Sequence, residues 1–156
     1  MKPDSLMVLK TIEHVKEQIP TTDCLPATFF VGNETDLNIV VAAFDDDADK
    51  EKSAAVVKDL ALKMKAEFIL FVSEAYMLKG DEATKDYLAN RHKYQNLSDH
   101  PGAAEMVLFQ IETATSVRVG TALIQEGRTL GPVEWSPATD FKGRFSSLLG
   151  PKPTLQ

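Results

Sequence analysis

A chain of 156 residues, 44% hydrophobic and 26% charged, suits one soluble domain with a buried core. Its formal net charge of −6 works against phosphate neutralisation, and Arg91, His92, Lys93 is too short a basic run for a nucleic-acid footprint. The lone Cys24 cannot form an internal disulfide, and the most apolar run, Phe68 to Val72, falls far short of the ~20 residues of a membrane helix.

The N-terminus, Met1-Lys2-Pro3-Asp4-Ser5, lacks the apolar core of a signal peptide, so the reading is a cytoplasmic protein without nucleic-acid or membrane partners. Asp4 or Ser5 can cap a first helix whose stripe is Leu6, Leu9, Ile12, Val15 and Ile19, stopped by Pro20. Two strand-like runs follow, Ala27 to Val31 and the nearly all-apolar Leu37 to Phe44, joined by turn chemistry at Gly32 to Thr35. The acidic run Asp45, Asp46, Asp47, Asp49 leads into a second helix, about Lys50 to Lys65, with Val56, Val57, Leu60, Ala61 and Met64 expected to face the core.

Glu67 to Met77 reads as a long central strand, and Gly80 to about Pro101 as a polar excursion, disordered or helical. Glu105 to Glu112 and Val117 to Gln125 form an expected hairpin, and Thr129 to Trp135 follows the turn at Glu126 to Arg128. Short turns between consecutive strands predict antiparallel pairing. The fold class is therefore α+β: about five mainly antiparallel strands packed by two main helices in the order αββαβββ. That order resembles roadblock and profilin-like domains, an analogy of fold that implies no activity. Residues 1–136 are expected to be the domain and 137–156 a C-terminal tail packed on it.

The strings Phe71-Val72-Ser73-Glu74-Ala75-Tyr76, His100-Pro101 and Gly131-Pro132-Val133-Glu134-Trp135 resemble a group of small bacterial proteins of unassigned function. The resemblance implies that the His100 loop and the Trp135 strand belong to one recurring design. It supplies no activity.

Chemistry-bearing residues are few. Asp45, Asp46 and Asp47, with His100, are candidate ligands for a hard divalent metal, but the run lacks the spacing of a calcium loop and stands where aspartates cap a helix. Glu74, His92 and His100 are candidate catalytic groups, without any recognised metal or catalytic spacing. Glu74 interrupts an apolar strand and needs a partner such as Arg118 or Arg128, with a structural ion pair the preferred reading. Glu112 and Arg118, near the hairpin end, can form a cross-strand or diagonal ion pair that carries no function. Cys24 and Ser73 lack the settings of nucleophiles, and no phosphate-binding glycine loop is present. Trp135, Phe141 and Phe145 are candidate interaction anchors, with the tail aromatics expected to fold back on the sheet.

No cofactor is predicted. The leading reading is a non-catalytic interaction or assembly module, a homodimer or a binder of another protein, because exposed sheet edges can pair with a second chain. The alternative is a metal-assisted hydrolase or small-ligand binder built on the acidic and histidine residues.

Overall fold

The computed structural model describes residues 1–42, 46–78, 80–137 and 148–150. Among these residues three α-helices and seven strands follow in chain order: α1 (Leu6–Gln18), β1 (Thr28–Gly32), β2 (Leu37–Val41), α2 (Asp47–Met64), β3 (Phe68–Leu78), α3 (Asp81–Ala89), β4 (Ala103–Thr113), β5 (Val117–Gln125), β6 (Thr129–Leu130) and β7 (Glu134–Pro137). Spatially the sheet runs β2-β1-β3-β4-β5-β6, with β7 also paired to β5, and each of these pairings is antiparallel. The α+β class and the antiparallel sheet agree with the sequence reading. Five strands and two helices become seven and three.

Two causes account for the extra elements. Thr129 to Trp135, expected as one strand, is broken at Gly131-Pro132 into β6 and β7, since Pro132 has no N–H to give a ladder. The polar excursion after Gly80 is helical: Asp81 and Glu82 lie in the first turn of α3, where carboxylates favour the positive end of the helix.

Alternation along the strands divides the core in two. One face carries Phe30, Phe68, Leu70, Val72, Val107, Phe109 and Ile111, covered by Val8, Ile12, Val15 and Ile19 at the α1 end of the chain. The other carries Phe29, Val31, Ile69 and Phe71, covered by Val57 and Ala61 of α2 and by Leu148. Phe29 and Phe71 sit across the β1–β3 pair with ring centroids 4.7 Å apart. No helix among the described residues is long and apolar enough to cross a membrane.

The expected helix faces hold at Ile12, Val15 and Ile19 and at Val57, Leu60, Ala61 and Met64, and differ at their margins. Val8 and Thr11 are buried in α1, whereas Leu6 and Leu9 are exposed. At ~100° per residue, Leu6 lies about 160° round the helix from Val8, so it cannot share that stripe. In α2, Val57 and Ala61 are buried and Val56 is exposed. Strand β2 ends at Val41 rather than Phe44, and Phe44 lies outside the described residues.

Candidate functional site

Glu74 leaves β3 on the α1 face, where its carboxylate is nearly buried and pairs with Nη2 of Arg128. Arg128 also donates from Nε to the Ile19 carbonyl at 3.1 Å and lies 4.0 Å from Glu105. Its backbone is left-handed, φ 56°, directly after Gly127 at φ 75°. That conformation costs a non-glycine residue about 1–2 kcal/mol, and here it accompanies a guanidinium that ties the end of α1 to β3 and β4. Tyr76 donates to Glu105 at 3.3 Å, and the Glu105 charge raises the Tyr76 pKa. A hydrogen bond to Glu74, then partial burial, raises the Cys24 thiol as well. A thiol held protonated is a poor nucleophile.

His100 is buried with both ring nitrogens engaged. Nδ1 accepts the Gly102 N–H at 2.8 Å, which fixes the ring proton on Nε2, and Nε2–H donates to Asp86 Oδ2 at 2.8 Å. Tyr94 lies tilted against the ring at a 4.9 Å centroid distance, with Tyr87 edge-on at 6.3 Å and Arg91 over Tyr87. This hub joins α3 to the turn that precedes β4. A histidine bonded at both nitrogens has neither a lone pair for a metal nor a free site for substrate without breaking a contact. His92 is exposed on a 3₁₀ turn at Arg91–Lys93.

Asp46 is the N-cap of α2 and accepts the Asp49 N–H at 2.8 Å, and Asp47 lies in the first turn. Asp45 lies outside the described residues. Among the described residues, no three His, Cys, Asp or Glu side chains gather in a way that could hold a metal ion. Glu74, His92 and His100 are not brought into one such group.

The expected Glu112–Arg118 pair is corrected by register. Arg118 stands opposite Ile111 and Glu112 opposite Val117, so the two side chains leave opposite faces of the sheet. Glu112 is 1% exposed, and its two carboxylate oxygens accept the N–H groups of Leu148 at 2.9 Å and Leu149 at 2.8 Å. Arg118 instead lies over the Trp135 ring at 5.8 Å. Trp135 is half-buried against Phe109 and fits over Gly120, where a Cβ would stand 2.6 Å from the ring. Phe141 and Phe145 lie outside the described residues, although Leu148 of the tail is buried on the α2 face.

Two features escaped the sequence reading as sites. The first is β2, at the edge of the sheet, with Leu37, Ile39 and Val41 on one face exposed at 38%, 55% and 62%. Its apolar run was visible in the sequence, but its edge position depends on pairings over 30 residues away. The second is a cleft of about 420 Å³ at the other side of the sheet, lined by residues of β3, β5 and the Gly131–Glu134 segment. The Gly131-Pro132 break was its one sequence signal.

No protein family, curated protein or solved structure matches the chain in sequence or fold comparison.

Proposed function

We propose that the protein is a non-catalytic assembly module that forms a homodimer through the β2 edge. The observation that carries this reading is the exposed apolar face of β2. Edge strands in soluble monomers are guarded by charge, proline, bulges or covering segments, because unpaired backbone groups invite another strand. Leu37-Asn38-Ile39-Val40-Val41 contains no charge and no proline.

Leu37, Ile39 and Val41 offer an apolar face of three exposed side chains uninterrupted by charge. Leu6 of α1 is also 68% exposed, in a separate cleft with Lys10 and with Glu34 of the β1–β2 turn. Strand pairing would add the backbone edge and flanking turns, moving towards the ~800 Å² per partner of a specific interface. Two copies of one antiparallel edge satisfy each other across a two-fold axis, so a second copy is the simplest complement. The acidic balance disfavours nucleic acid and anionic lipid, and a single cysteine suits a cytoplasmic setting, which belongs to the same proposal. The likeness of element order to roadblock and profilin-like domains is not needed for it.

Size-exclusion chromatography with light scattering tests the proposal. Wild-type protein should run at twice the 17.2 kDa chain mass, and Ile39→Lys should return it to one chain mass with an unchanged circular dichroism spectrum. A wild-type chain that stays monomeric up to several hundred micromolar sinks it.

A further inference from the structure

The β5 edge opposite β4 is only partly paired. Strand β7 covers Arg118 to Thr121 and β6 covers Ile124 and Gln125, while the Gly131–Val133 segment bows away between them. Gly131 N–H still donates to the Leu123 carbonyl at 2.9 Å, and Pro132 has no N–H to continue the ladder. This fork opens the cleft of about 420 Å³, within the range of small-ligand sites. Gly131 helps to keep it open, since a Cβ there would stand 3.2 Å from the Gln125 side-chain nitrogen.

The lining has a definite chemical bias. Met77, Leu78, Leu123 and Pro132 supply apolar walls, and Thr121, Gln125 and Glu134 supply oxygen acceptors. Among the described residues these three side chains make no hydrogen bond or ion pair within the chain. Glu134, exposed at the rim, is the one charged side chain among the described lining residues.

We infer that the cleft binds a small primary amine with an apolar body. An ammonium group carries three N–H donors, and the Glu134 carboxylate and Thr121 hydroxyl, directly opposite each other across the β5–β7 pair, can accept from it, while Gln125 lines the cleft about 13 Å further along β5. A charged donor to a carboxylate gives the stronger kind of hydrogen bond, while the walls take the hydrocarbon. An anionic ligand meets repulsion from Glu134, and a dication finds no second carboxylate in the lining. The cleft lies on the opposite side of the sheet from β2, so binding here does not require the dimer.

Titration of the full chain with 2-phenylethylamine and its neutral counterpart 2-phenylethanol, followed by ¹H–¹⁵N NMR, tests the inference. The expected result is a set of shifts centred on Met77, Leu78, Leu123 and Gly131, with the amine bound at least about tenfold more tightly. Glu134→Gln should bring the two ligands within about twofold of each other, and Gly131→Leu should weaken both by filling the cleft. Equal affinities in the wild type, a preference that survives Glu134→Gln, or shifts centred elsewhere overturns it.

Discussion

Asp86 gives up its proton more readily than a free aspartate because His100 donates a hydrogen bond to its carboxylate, and Tyr94 and Asn90 add theirs. Partial burial opposes the shift without cancelling it. A carboxyl whose folded pKa is depressed binds fewer protons folded than unfolded. Its contribution to stability is therefore complete above the ordinary value of 3.8 and is lost as pH falls through the lower folded value. Comparison of urea midpoints for wild type and Asp86→Ala reads this out. The gap should be constant from about pH 7 to pH 5 and should shrink progressively in more acidic buffer. A gap that widens with acid would mean that Asp86 is not held ionised by this hub. The same contacts set the position of the His100 proton, with Gly102 on one side and Asp86 on the other.

Segments joined by short turns were legible from the chain, whereas distant closures were not. The short polar turn at Thr113–Ser116 marked the β4–β5 hairpin, and the apolar run from Phe68 marked the central strand. The broken β6–β7 segment was read as one strand because its residues are strand formers on both sides of Gly131-Pro132. The α1 stripe held at Ile12, Val15 and Ile19 but not at Leu6 and Leu9, which keep a helical spacing without facing the sheet. Arg128 could be named as a partner for Glu74 because a buried carboxylate on an apolar strand demands a cation. Nothing local reveals that Glu112 meets backbone 36 and 37 residues downstream. Its role can be tested directly. Glu112→Gln leaves one carbonyl for two N–H groups and buries an amide nitrogen, so it should cost about 1–3 kcal/mol. Hydrogen exchange at Leu148 and Leu149 should accelerate well beyond that at Phe71. Unchanged protection at both amides would mean that the tail is held by Leu148 packing alone.

The two layers of core leave the molecule asymmetric at its sheet edges. One edge ends in the β5 fork, partly closed by β6 and β7, and the other ends in β2 with its apolar face in water. Folding alone therefore leaves Leu37, Ile39 and Val41 exposed, and in the proposed dimer a second copy would cover them. Association that is coupled to the folded state stabilises it by mass action. The thermal midpoint of the wild type should thus rise with protein concentration, whereas that of Ile39→Lys should stay flat. Because the proposed contact is apolar and β2 carries no charge, the concentration dependence should persist in 0.5 M salt, where ion-pair interfaces weaken. A midpoint independent of concentration in both proteins would leave β2 as an exposed edge tolerated by a monomer. A dependence abolished by salt would place the contact on charged surface and remove the β2 strand from it.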